Sequence, residues 1–210
     1  MMTERLILVG GGDFARELIN WTDDLVDLGK SIPVTGFLDD NPDALKGFQY
    51  PVAYLGSIQS YVPQPGDRLL MAVGNPKVKK TLFADMKLRG CHFSTLIHPS
   101  AVVARSARLD EGVVVCPQAF ISADAKVGDL CAINGSASVG HDVKLGSFAT
   151  LSAHVDLTGW VQVDECVFFG SGARVLPKVK IGAGTRIGAG AVVMRSVPAD
   201  AVVYAPPAKR

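Results

Sequence analysis

Ile97, Val103, Leu109, Val115, Ile121, Val127, Ile133, Val139, Leu145, Leu151, Leu157, Val163, Phe169, Val175, Ile181, Ile187 and Val193 stand at every sixth position of one continuous stretch. All but Phe169 are branched aliphatics. Two places before each lies a second column, Ala101, Ala107, Val113, Ala119, Ala125, Cys131, Ala137, Val143, Ala149, Val155, Val161, Val167, Ala173, Val179, Thr185 and Ala191, small or β-branched throughout. Two columns kept in phase over this length define the architecture.

An amphipathic helix repeats near 3.6 residues and a single strand alternates by two, so neither explains a period of six. A short flat strand and a corner together take six residues. Three such units close a triangular coil, and the chain reads as a hexapeptide parallel β-helix with the branched column pointing inward. Glycine follows the inward residue at Gly128, Gly146, Gly170, Gly182 and Gly188, and asparagine at Asn134. We expect those positions to be the corners that need left-handed backbone angles.

The 210 residues leave room for one further small domain before the coils. A formal charge of +1, without runs of one sign, favours neither nucleic acid nor a membrane surface. No stretch reaches transmembrane length, and Met1 to Arg5 lead straight into a strand without the apolar segment of a signal peptide, which places the protein in the cytoplasm. The four cysteines, Cys91, Cys116, Cys131 and Cys166, lack metal-finger spacing and read as reduced core residues.

The N-terminal region alternates strand and helix. Leu6 to Val9 is a buried strand, Gly10-Gly11-Gly12-Asp13-Phe14-Ala15 a turn, and Arg16 to Trp21 a helix. In that order, backbone amides and a helix N-terminus face a phosphate. Val34 to Leu38 is a second strand, ending at Asp39-Asp40, where such units place a carboxylate against a ribose. Leu69 to Val73 is a third, followed by Gly74 and a helix over Lys77 to Leu88. Pro51 to Gly66 reads as a surface loop. This is half of a dinucleotide fold, suited to a mononucleotide or sugar nucleotide, and a hydride-transferring dehydrogenase would need more.

Among the four histidines, His92 and His98 fall at the junction with the coils and read as structural. His141 lies two places beyond inward Val139, beside Asp142, and projects outward. An exposed imidazole next to a carboxylate is suited to general-base work, though spacing alone favours a solvent-exposed surface histidine. His141 and His154 are out of register with the six-residue columns, so no zinc site is expected.

The whole chain resembles the sugar O- and N-acetyltransferases of the NeuD/PglD type. The resemblance is carried by Gly10 to Ala15, Phe37-Leu38-Asp39-Asp40-Asn41, Ala72-Val73-Gly74-Asn75, Leu96-Ile97-His98-Pro99, Asn134 to Asp142 and Pro207-Ala208-Lys209. It implies a Rossmann-like α/β domain over 1–95 and a left-handed parallel β-helix over 96–210. It further implies a homotrimer using acetyl-CoA, without a metal, to acetylate a sugar. In that scheme His141 removes the proton from the attacking atom and Asp142 supports it. Gly12, Asp13, Phe14, Asp39, Asp40, Gly74 and Asn134 fall where the family meets the sugar nucleotide. Thr150, Gly170, Ser171, Gly188, Ala189 and Lys209 fall along the acetyl-CoA cleft.

The chain departs from the family pattern at three places. Asp13 replaces a glycine of the turn, Thr150 replaces a histidine that some members set against the acetyl group, and Gly140 stands where a member has an acidic residue. An amino group on a nucleotide-linked sugar is the expected acceptor, because Asp39-Asp40 suits a ribose or base edge. O-acetylation of sialic acid or another sugar hydroxyl is the alternative within the same chemistry. A non-catalytic nucleotide-sugar sensor or scaffold is the alternative outside it.

Overall fold

The computed structural model describes residues 4–206. Its N-terminal part is a four-stranded parallel sheet. Strands β1 (Arg5–Val9), β2 (Val34–Leu38), β3 (Ala53–Tyr54) and β4 (Asp67–Met71) lie in the order β3-β2-β1-β4, with helices α1 (Asp13–Asp27) and α2 (Pro76–Leu88) after β1 and β4. The short β3 corrects the expected surface loop: Ala53 and Tyr54 pair in parallel with Gly36 and Phe37. Because β2 and β4 flank β1 on opposite sides, the connections diverge between β1 and β4. In parallel α/β sheets a ligand crevice opens at that divergence, beyond the carboxyl ends of the strands. The Gly10–Gly12 turn and Gly74 border it.

From Leu96 to Val203 the chain winds through two-residue strands arranged as seven-, six- and five-stranded parallel faces of a left-handed β-helix. Register repeats every coil, as in Lys126 with Lys144 and Val127 with Leu145. Both columns turn inward, and Val115, Ile121, Ile133, Val139, Leu151, Leu157, Phe169 and Val175 are wholly buried. At the C-terminal end the coil tightens by two residues: Ile181 pairs with Val197, and Arg186 with Val202.

The corners differ from the expectation. Left-handed angles fall two places later, at Gln118, Asp124, Leu130, Ser136, Asp142, Phe148, His154, Trp160, Cys166 and Lys178 as well as at several glycines. Gly146 has an ordinary φ, but a Cβ there would lie 2.6 Å from the Asp164 carbonyl carbon of the next coil. At Gly146, Gly170 and Gly182 it is the stacked backbone of the next coil, not the backbone angle, that excludes a side chain.

The seven-stranded face is covered by the α/β domain. Its outward residues Leu96, Val114, Ala132 and Thr150 are buried, and Leu96, Val114 and Cys116 share a core with Leu8, Leu18, Ile19 and Leu70. Leu130, Phe148 and Cys166 form a second contact with Met86 and neighbours. His98 joins the two parts, one ring nitrogen 2.9 Å from Asp24 and the other 2.8 Å from Ser100. His92 gives its backbone carbonyl to the Leu69 amide. All four cysteines are free and buried. Burial pushes the Cys131 thiol up to about 12 and raises Cys91, Cys116 and Cys166 as well. A thiol-specific disulfide reagent at pH 8 is expected to label none of the four in the native protein and all four after unfolding. Rapid native labelling would contradict that burial.

Candidate active site

Part of the first group of predicted residues lies at the glycine turn after β1. Gly10 has φ +105°, and a Cβ at Gly11 would lie 2.7 Å from Ala44 Cβ, so the turn needs glycine at both positions. Asp39 holds this turn: its carboxylate accepts hydrogen bonds from the Gly11 amide at 2.6 Å and the Asn41 amide at 2.8 Å. Asp40 is exposed beside it. Gly12 caps α1 with no side-chain bond, leaving the helix start to other acceptors. Asp13, next along, is fully exposed and paired with Arg16, which offsets its charge.

A cleft of about 460 Å³ opens between α1 and the prism, bordered by Phe14, Trp21, Gly74, Asn134, Thr150 and Phe168, with Glu17 at its side. Burial, and then the charge of Asp13, raises Glu17 above the ordinary carboxylate range. Of the residues expected to meet the sugar nucleotide, Phe14, Gly74 and Asn134 border this cleft, and Gly12, Asp13, Asp39 and Asp40 do not. Glu17 and Trp21 were missed, since nothing in an amphipathic helix marks which residues border a neighbouring domain.

Asn134, Gly170, Ser171, Gly188 and Ala189 stack on one edge of the prism, between the seven- and six-stranded faces. On its upper part, Gly170-Ser171-Gly172 and Gly188-Ala189-Gly190 carry almost no side chain. Thr150 lies off that edge, buried on the seven-stranded face. Its hydroxyl donates to the Gly74 carbonyl at 2.8 Å and accepts from Lys79 at 2.9 Å. Its hydroxyl is thus occupied within the domain interface. Lys209, with Pro207 and Ala208, lies outside the described residues.

His141 occupies the next edge, between the six- and five-stranded faces. Asp142, at φ +59°, folds its carboxylate back to the ring, with Nδ1 to Oδ2 at 2.9 Å. When Nδ1 carries the proton it donates to Asp142, and Nε2 keeps a free lone pair. The ring lies across Gly159 of the following coil, where a Cβ would run into Nε2. Trp160 meets it edge-on, centroids 6.3 Å apart. Gly159 is thus a positional requirement of the imidazole, invisible until the coils are stacked. His141 is exposed and borders no part of the cleft in its own chain. Among the described residues no group of three His, Cys, Asp or Glu side chains is arranged to hold a metal. No described helix is long and apolar enough to cross a membrane.

Known proteins share this layout. Residues 5–86 match the PglD N-terminal domain. Over 110 residues the chain is 36% identical to UDP-N-acetylbacillosamine N-acetyltransferase of Bacillus subtilis, an alignment spanning 50% of this chain and 47%, about half, of that relative. The chain superposes on perosamine N-acetyltransferase from Caulobacter crescentus, solved with CoA and GDP-perosamine, with a TM-score of 0.86, 35% identity and coverage of 99% of this chain and 97% of that one. Two further structures of that enzyme carry a histidine replaced by asparagine or alanine. The acetyltransferase domain of PglB from Neisseria gonorrhoeae, in complex with acetyl coenzyme A, superposes with a TM-score of 0.87 at 27% identity and 99% coverage of both chains. With the N-terminal domain matched and the whole chain superposed on these enzymes, the chain belongs to the NeuD/PglD-type sugar acetyltransferases, a group of hexapeptide-repeat acyltransferases.

Proposed function

We propose that this protein transfers acetyl from acetyl-CoA to the amino group of a nucleotide-linked amino sugar in the cytoplasm, with His141 as general base. The observation that carries this reading is the full-length likeness to an N-acetyltransferase holding CoA and GDP-perosamine. In this scheme residues 1–95 grip the nucleotide at the Gly12 and Gly74 turns, and residues 96–210 supply the acetyl-CoA groove and the base. Neutral amine nitrogen attacks the thioester carbon while Nε2 of His141 takes the proton the nitrogen sheds. The C–S bond breaks, and CoA leaves as thiolate, which collects a proton. Asp142 keeps the imidazole in the tautomer that accepts. Donors placed where the carbonyl oxygen gains charge lower the barrier further.

The geometry favours a site shared between copies of the chain. Asn134 and the glycine corners lie on one border of the six-stranded face and His141 on the other. Three prisms packed with that face toward a threefold axis would bring His141 of one chain beside the cleft of the next. The face carries exposed Val102, Phe120 and Val192, 44–57% accessible, and Trp160 flanks it. Burial of such a surface drives association.

The test is release of free CoA thiol from acetyl-CoA with UDP- and GDP-linked 4-amino sugars and free sialic acid as acceptors, alongside light scattering. Turnover on a nucleotide-linked amine by a trimer is expected. Turnover on sialic acid alone would make the enzyme an O-acetyltransferase. Nucleotide binding without CoA binding would leave a sensor or scaffold, and a monomer would overturn the shared site.

A further inference from the structure

Lys79 is the largest fully buried side chain among the described residues, 1% exposed, and its hydrogen-bond partners are two carbonyls and a hydroxyl, not a carboxylate. Its ammonium projects from the first turn of α2 against the wall of the prism and donates to the Leu130 carbonyl at 2.8 Å, the Ala149 carbonyl at 3.0 Å and the Thr150 hydroxyl at 2.9 Å. All three of its protons are used. Burial lowers its pKa to about 8, so at neutral pH it remains charged. As glue between two domains this is a poor choice, because methionine would fill similar space without desolvating a cation.

What the ammonium does, and methionine cannot, is fix the direction of a hydrogen-bond chain. Because Thr150 Oγ1 accepts from Lys79, its own proton goes to the Gly74 carbonyl, 2.8 Å away. Gly74 immediately precedes Asn75, whose side chain caps α2 by accepting from the Lys77 and Val78 amides at 3.0 and 3.3 Å. The Asn75 carbonyl in turn accepts from the Lys79 amide at 2.9 Å. Gly74, Asn75, Lys79 and Thr150 thus form a closed ring that pins the turn after β4 to the prism. Gly74 and Thr150 both border the cleft.

We infer that Lys79, acting through Thr150, is a positioning residue that sets the Gly74 peptide at the rim of the cleft and thereby the grip on the nucleotide-bearing acceptor. This rests on the nucleotide-sugar reading of the cleft given above. The Lys79 ammonium and the Thr150 hydroxyl are both committed within the ring, so the expected effect is on acceptor binding.

Three variants test it: Lys79→Met, Thr150→Val, which removes the hydroxyl at nearly constant shape, and Thr150→Ser, which keeps it. Each is assayed for acceptor KM, acetyl-CoA KM and kcat, for calorimetric binding of GDP and UDP, and for hydrogen exchange across residues 73–76. Thr150→Val and Lys79→Met are expected to weaken nucleotide binding and raise acceptor KM about tenfold, with kcat and acetyl-CoA KM within twofold of wild type. Exchange at the turn should accelerate in both, and Thr150→Ser should behave as wild type. Unchanged exchange and acceptor KM in Thr150→Val would overturn the inference, as would equal losses in Thr150→Ser. Should wild type bind neither nucleotide, the acceptor reading fails, while exchange at the turn still decides whether the ring holds it. If Lys79→Met does not fold, Thr150→Val and Thr150→Ser carry the test alone.

Discussion

Replacing His141 by alanine is expected to lower kcat for acetyl transfer by about 10²- to 10⁴-fold while leaving acceptor and acetyl-CoA KM within a few-fold of wild type. The side chain is exposed, outside the cleft of its own chain and outside all three buried cores, so its removal touches chemistry without touching the fold. Circular dichroism and the oligomeric state should be unchanged. Asp142→Asn should fall between the two, because an amide can present its nitrogen to Nδ1 and favour the wrong tautomer. Steady-state kinetics on the acceptor with highest turnover decides the matter. A His141→Ala enzyme retaining more than a tenth of wild-type kcat would remove the base from the mechanism.

The largest expected effect on stability comes from Phe169→Ala. Phe169 is the one aromatic in the inward column, completely buried between Leu151 and Ile187 on the seven-stranded face. Truncation leaves a cavity that stacked backbone cannot collapse to fill, at a cost of about 3–5 kcal/mol. Phe169→Leu, which restores the kind of side chain found elsewhere in the column, should cost less than about 1.5 kcal/mol. Urea denaturation followed by circular dichroism measures both. Equal, small losses would mean that the coils near Phe169 are not close-packed. Since each coil rests mainly on its neighbours, the damage is expected to concentrate in the coils around Phe169.

The prism was legible because its period is imposed on every inward residue, and sequence periodicity reports inward residues directly. The corners were not. Leu130, Phe148, Trp160 and Lys178 adopt left-handed angles that their side chains disfavour, because the ladders above and below dictate the corner. Glycine after the inward residue answers the approach of the next coil, a contact sixteen to nineteen residues away, and not a left-handed angle. Strand β3 has two residues, both exposed, and so no pattern to read. The His141–Asp142 contact was legible because adjacent residues on a corner can hardly avoid one another. Lys79 was not, since a lysine among Lys77 and Lys80 on an amphipathic helix looks like solvated surface until a second domain covers it.

A stack of parallel coils has two open ends, each a row of unsatisfied main-chain donors and acceptors, and identical ends invite molecules to pile up into fibres. The tightened final coil bears on that hazard. With Val197 and Val202 brought opposite Ile181 and Arg186 two residues early, the terminal rung no longer matches the spacing that another molecule's first coil would present. Ser196 and Thr185 also divert hydrogen bonds locally, accepting from the Lys180 amide and donating to the Pro198 carbonyl. The same ladder that lets this fold extend coil by coil thus closes, among the described residues, on a shortened rung out of step with the coils before it.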